Sequence, residues 1–242
     1  MAKIDKNLYT KAQYKLLKAA AKAEKIALQL SQSSQPTIPI LDHLRSTNPV
    51  SFVLGNGTSR ADIDPVSIKQ LGKVYGCNAL YRSFSPDYLI AVDTKMIVEI
   101  NKSKYQLTNQ VWTNPNKLYS SMEQFNFFQP SKGWSSGPTA LWLASQHDYK
   151  TIYILGFDYK GNSSGKSFNN IYADTENYKG SKDTATYYGN WLRQTKTVIE
   201  AHGKIRYIRV IAPDNFIPDE LNKISNLTHI TTDSFRKMFS LA

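Results

Sequence analysis

The sequence predicts an α/β fold, a Rossmann-like, mostly parallel sheet covered by helices, with an amphipathic helix at its N-terminal end. Three observations carry that expectation. From residue 50 onward, short apolar runs of strand length alternate with helix-patterned segments. The strongest run, TIYILGFD at 151–158, is a continuous apolar stretch of the buried-strand kind. The residues that follow successive runs are small or polar, as expected where the strands of an open sheet deliver their carboxyl ends.

Taken in order, residues 5 to about 31 read as one helix without Gly or Pro. Lys11, Lys15, Lys18, Lys22 and Lys25 step by four, three, four and three, a single cationic stripe about 80° wide at ~100° per residue. Tyr9, Ala12, Leu16, Ala19, Ala23, Ala27 and Leu30 fall on the other side. Three readings of this helix stand side by side. It packs by its Ala/Leu face with solvated lysines, it contacts nucleic acid or a membrane surface, or it self-associates through its small residues. The scarcity of bulky residues argues against deep insertion. SQSSQPTIP (31–39) is a polar linker punctuated by proline. The organisation expected is a basic amphipathic helix at 1–32, a linker at 33–49 and a Rossmann-like nucleotide-binding domain at 50–242.

Within that domain VSFVL (50–54) is a strand, DPVSIKQLG (64–72) a helix opened by Asp64 and Pro65, and KVYGCN (73–78) a strand. DYLIAVD (87–93) is a strand, with a helix starting at Thr94. Residues 101–133 are aromatic and Asn-rich, suited to strands and loops without clear period. PTALWLASQHD (138–148) is a helix and 151–158 a strand. The Gly/Ser/Asn-rich stretch 160–182 reads as a mobile loop or lid. A helix follows at 183–203, stopped by Gly203, then the strand IRYIRVIAP (205–213), a short helix and the strand-like THITT.

The totals bound the function. The 242 residues suffice for one large domain, or one domain with an appendage, and 41% hydrophobic with 20% charged residues fits a folded protein. No apolar run approaches the ~18 residues that span a bilayer, and the opening residues lack a signal-like apolar core. A lone cysteine, Cys77, cannot form an internal disulfide, so a cytoplasmic setting is expected. The formal net charge of +11 favours polyanionic surroundings such as nucleic acid, anionic lipid or phosphorylated substrates.

Candidate chemistry lies just beyond the apolar runs. Gly55, Asn56, Gly57 and Thr58, then Asn78, Asp93, Ser135, Ser136 and Gly137, and finally Asp158 offer amides, hydroxyls and carboxylates suited to a nucleotide. Ser135-Ser136-Gly137 precedes a helix opened by Pro138, so free amides and a favourable dipole end would face an anion. GNSSGKS (161–167) misses the Walker spacing by one residue, and Arg60 stands where a dinucleotide fingerprint has its third glycine. His43, His147, His202 and His229 are too scattered for a zinc site, and no metal ligand set is expected.

Gly55-Asn56-Gly57 followed by Thr58-Ser59, the pair Cys77-Asn78, and Ser136-Gly137 before a helix running into IYILGFD together resemble a known group. They are similar to the bacterial lipooligosaccharide sialyltransferases of glycosyltransferase family 42 and to pterin-diphosphokinase-like Rossmann proteins, over roughly residues 50–212. The resemblance implies a CMP-sugar donor used without a metal. Gly55, Asn56, Gly57 and Asn78 would contact the nucleotide, Asp93 would lie near a donor-holding position, and Ser136 and Gly137 would line the same pocket. The chain departs from the family at three places. Lys160 and Lys166 stand where it has tyrosines that hold the leaving phosphate, and NYKGSKDT (177–184) keeps Tyr178, Gly180 and Ser181 without the family's general-base histidine.

The leading functional reading is therefore a nucleotide- or nucleotide-sugar-dependent, glycosyltransferase-like enzyme with an anionic acceptor, either an anionic glycan or nucleic acid. Asp158, Asp183 or Tyr187 would act as base, and Lys160 or Lys166 would neutralise the leaving phosphate. Two alternatives stay open: a non-catalytic nucleic-acid- or partner-binding protein on a transferase-like fold, and a small-molecule diphosphokinase-like enzyme.

Overall fold

The computed structural model describes residues 49–214 and 216–241. The helix expected at 1–32 and, but for Pro49, the linker at 33–49 lie outside the described residues.

β1 (Val50–Leu54) leads through α1 (Pro65–Leu71) to β2 (Lys73–Cys77) and β3 (Tyr88–Ile90), then through α2 (Thr94–Ser103) to β4 (Val111–Thr113) and β5 (Asn126–Phe127). The chain returns through α3 (Ser136–Ser145) to β6 (Thr151–Leu155), and continues through α4 (Gly189–Ala201) to β7 (Arg206–Ile211), β8 (Leu227–Thr231) and α5 (Thr232–Phe239). The strands form one all-parallel sheet in the order β5-β4-β3-β2-β1-β6-β7-β8.

Alternation along β1 and β6 assigns the two faces. Val53, Ile152 and Ile154 join Ala140, Leu141 and Ala144 of α3 and Leu192, Val198 and Ile199 of α4 in one core, where the alanines let α3 lie close to the sheet. Their neighbours Phe52 and Tyr153 point the other way. They stack at 5.3 Å and meet Phe235 and Phe239 of α5 edge-on at 5.1–6.2 Å. At α1, Asp64 accepts from the amides of Val66 and Ser67, and Pro65 occupies the first helical position, where a missing N–H costs nothing.

β3 ends at Ile90, α3 at Ser145 and β7 at Ile211, each two or three residues before the end expected from the sequence, and three further departures bear on the site. β6 stops at Leu155 rather than residue 158, because Gly156 takes φ +68° and turns the chain out of the ladder. α3 starts earlier, at Ser136, with Ser135 at its cap position. α4 starts later, at Gly189, since the residues before it are held in extended pairing: Ser167 bridges Thr184, and the Ala185 N–H donates to the Lys166 carbonyl at 3.0 Å. The stretch 160–182, expected as a mobile loop or lid, lies over the ends of β1 and β2, where the Ile171 N–H meets the Asn56 carbonyl and the Tyr178 hydroxyl meets Asn56 and Ala79.

Candidate functional site

β1 is the strand at which the chain changes direction across the sheet. One neighbour, β2, continues toward β5, and the other, β6, toward β8. The loops that leave β1 and β6 therefore diverge, and in open parallel sheets such a divergence opens a crevice beyond the strand ends. A cavity of about 220 Å³ opens there. Gly55, Asn56 and Gly57 line it from β1, Asn78 from β2, Asp93 from the segment after β3, Ser135, Ser136 and Gly137 from α3, and Asp158 and Lys160 from the loop after β6. Thr58 and Asp183 lie outside the lining, as does Lys166.

Lining a cavity and offering a free group to it are different things. The Gly55 N–H donates to the Leu155 carbonyl at 2.8 Å and the Gly57 N–H to the Gly156 carbonyl at 2.9 Å, which joins the two loops just beneath the cleft. The Asn56 side chain is buried, donates to the Cys77 carbonyl (3.4 Å) and the Tyr178 hydroxyl (3.3 Å), and accepts from Arg60 (3.5 Å). It ties three segments together. Asp158 accepts from the Ser59 N–H (3.1 Å), the Ser59 hydroxyl and the Asn169 amide (3.0 Å), so both its oxygens serve the loops. Thr58 supports the same junction by donating twice to Asn169 Oδ1, at 2.9 and 2.8 Å. Lys160 is ion-paired with Asp214 and lies 5.6 Å from the Phe216 ring centre. Asp183 accepts from the Gly180 N–H at 2.7 Å on an exposed turn. The catalytic candidates Asp158, Lys160 and Asp183 are thus partnered within the fold or sit away from the cavity.

A different set remains available. The Ser136 hydroxyl accepts from the Val92 N–H (3.1 Å) and donates to Asn78 Oδ1 (2.8 Å), and Asn78 Nδ2 donates to Asp93 Oδ2 (3.4 Å). This chain of bonds crosses from α3 over the end of β2 to the segment after β3. Asn78 holds φ +52°, a left-handed conformation that non-glycine residues other than Asn and Asp rarely adopt. Asp93 keeps surface exposure, yet desolvation by the surrounding loops raises its pKa from the ordinary value, and the Asn78 N–H opposes part of that rise. At the start of α3, Pro138 has no N–H and Thr139 donates back to the Ser135 carbonyl at 3.0 Å. Among the described residues the Ser136 and Gly137 amides then have no acceptor in the first turn, at the positive end of the helix.

The remaining wall comes from 166–191. The Ile171 N–H donates to the Asn56 carbonyl at 2.8 Å, and the Tyr178 hydroxyl also accepts from the Ala79 N–H at 3.3 Å. Arg82 grips Glu99 through two nitrogens (2.6 and 2.7 Å) and reaches Thr175 and the Glu176 carbonyl, both at 2.8 Å. Burial pushes the Glu99 carboxyl up, yet Arg82, Tyr81 and Asn177 outweigh it and bring the pKa down to about 2. Tyr188 and Trp191 line the mouth, and Tyr187 stacks on Tyr188 with its ring well exposed.

Sequence reasoning missed two arginines, Arg60 and Arg209, which are 4% and 3% exposed. Arg60 Nε donates to the Gly55 carbonyl. Arg209 on β7 donates to the carbonyls of Phe157 (2.8 Å), Asp158 (3.2 Å) and Phe216 (3.2 Å). An arginine in the middle of the apolar run IRYIRVI was the available signal, since such a charge is buried only where something compensates it. Cys77 is buried, and desolvation pushes its thiol pKa up to about 12, which makes it a poor nucleophile at neutral pH. Among the described residues no three His, Cys, Asp or Glu side chains gather as a metal site, and no helix is long and apolar enough to cross a membrane.

Comparisons with protein-family models, with curated proteins and with solved structures find no match to this chain.

Proposed function

We propose that the chain binds a nucleotide or nucleotide sugar at the switch point and transfers a glycosyl-type group from it to an anionic acceptor. The observation that supports this most is the convergence of two helix-end amides, Ser136 and Gly137, with Asn78 and the single lightly partnered carboxylate, Asp93, around one cavity. The amides suit a phosphate, and Asp93, raised in pKa, suits a proton acceptor. In the transfer, the bond between the sugar carbon and the phosphate oxygen breaks, and its electron pair leaves on the phosphate at the start of α3. The acceptor oxygen bonds to that carbon, and its proton passes to the Asp93 carboxylate. Asp93 takes this role in place of Asp158 and Asp183. The cavity's ~220 Å³ falls below the ~300–1,000 Å³ of pockets that enclose a whole drug-sized ligand, so part of the ligand would lie across the mouth, against Tyr188 and Trp191. The family resemblance makes CMP-sugars the first donors to try.

A thermal-shift panel of nucleotides and nucleotide sugars tests the reading. One base class is expected to raise the melting temperature, by RT ln(1 + [L]/Kd) in free energy, and a flat panel would reject it. With the donor known, Asp93→Asn is expected to lower kcat by ~10²–10⁴-fold while donor binding holds. The second reading, a binding protein without chemistry, is favoured by the engagement of Asp158 and Lys160 within the fold. It predicts ligand-induced stabilisation with no turnover and no effect of Asp93→Asn beyond binding.

A further inference from the structure

The two buried arginines have no role in the transfer scheme, and among the described residues neither is ion-paired with a carboxylate. A guanidinium taken out of water needs compensation, and here it comes from peptide carbonyls. Arg209 holds the carbonyls of Phe157 and Asp158 at 2.8 and 3.2 Å, and Arg60 holds that of Gly55. A trans peptide fixes its N–H antiparallel to its C=O. Each carbonyl drawn toward an arginine therefore turns the next residue's amide the opposite way. For the carbonyls of Gly55, Phe157 and Asp158 those amides belong to Asn56, Asp158 and Tyr159, residues that line the cavity, while the residue after Phe216, the third carbonyl on Arg209, lies outside the lining. Tyr159 sits at φ +54°, the left-handed conformation that lets successive amides converge on an anion.

We propose that Arg60 and Arg209 build a phosphate subsite into the cavity wall, acting through the backbone as positioning residues. The amides of Asn56, Asp158 and Tyr159 form one side of it, facing those of Ser136 and Gly137. The ligand class is a phosphoryl dianion or a diphosphate, whose charge offsets two guanidiniums that have no carboxylate partner among the described residues. Burial lowers the Arg209 pKa from a very high starting point, so it remains a cation. This inference deepens the donor-pocket reading and rests on it.

The test uses the full chain, labelled with 15N, titrated with sodium pyrophosphate at constant ionic strength. The amide resonances of Asn56, Asp158 and Tyr159 are expected to move together and saturate at one concentration, with no response to chloride. Shifts confined to Ser136 and Gly137, or nucleotide binding that pyrophosphate does not displace, would overturn the arginine-built subsite and leave the donor pocket standing. No binding of pyrophosphate or of any nucleotide would remove both. Arg209→Met is expected to weaken pyrophosphate about 10–100-fold and an uncharged nucleoside within about threefold. Equal loss for both would assign Arg209 a purely structural role and contradict the proposal. If that variant does not fold, the amide titration of the native chain decides alone.

Discussion

Gly57 offers a sharp test of how the site is built, because its glycine is required by space and not by backbone conformation. Its φ of −66° and ψ of 148° are open to any residue. A Cβ added there would lie 2.5 Å from the Asp158 carboxylate and 2.7 Å from the Gly156 carbonyl oxygen. The second contact is backbone, held by the Gly57 N–H itself at 2.9 Å, so it cannot swing aside. Gly57→Ala must then push the β1 and β6 loops apart or displace Asp158 from Ser59 and Asn169. Overpacking of this kind costs about 1–3 kcal/mol, and weakening charge-assisted bonds to Asp158 adds about 1. The stiffer unfolded chain returns roughly 0.4–1 kcal/mol. The net expectation is a loss of about 1–3.5 kcal/mol, or a fall of ~2–14 °C in Tm for a domain of this size. Urea unfolding measures it, with Gly203→Ala as control, since nothing lies within 4 Å of a Cβ there. A Gly57→Ala loss below about 1 kcal/mol would refute the close approach on which the loop junction depends.

Asn56→Ala is expected to reduce stability by about 1–3 kcal/mol, because its side chain serves Cys77, Tyr178 and Arg60, and calorimetry of the folded variant should show ligand affinity changed less than stability. Glu99 has a folded pKa near 2 against the ordinary 4.5, so its contribution is full above about pH 4.5 and is lost as pH falls toward 2. After solvent screening that contribution is about 1–2 kcal/mol, and hydrogen exchange at 172–178 should quicken over that range in the native chain but stay flat in Glu99→Gln. His147 accepts from or donates to Tyr75 and has its pKa lowered by burial, so the unfolded chain binds more protons below the ordinary 6.5. Stability should therefore fall as pH drops from 7 toward 5.5, with a shallower slope in His147→Gln by urea titration. Phe235→Ala should cost about 3–5 kcal/mol by the same assay, since that fully buried ring packs on Phe52 and Tyr153.

Much of the fold was legible because local chemistry and burial agree. Asp64-Pro65 starts a helix by capping and fixed φ, and Phe52 and Val53 show the two faces of a covered strand. The end of β6 was not legible, since Phe157 continues the apolar run while Gly156 has already turned the chain. The late start of α4 was hidden for a similar reason, because Thr184 and Ala185 pair with distant residues 166 and 167. At the site, spacing brought out Asn78, Asp93, Ser136 and Gly137, which sit at segment ends by sequence alone. It could not tell that Asp158 would be taken up by Ser59 and Asn169, residues 99 and 11 positions away, or that Lys160 would find Asp214. Whether a carboxylate is free depends on tertiary partners, which a pattern of strand ends does not contain.

A crystal structure of the full chain with its stabilising nucleotide decides where the ligand sits. The phosphate is expected between the start of α3 and the loops after β1 and β6, within hydrogen-bonding distance of the Gly137 N–H, with Asp93 facing the group to be transferred. A nucleotide bound on another face, with the switch-point cavity filled only by water, would contradict that placement.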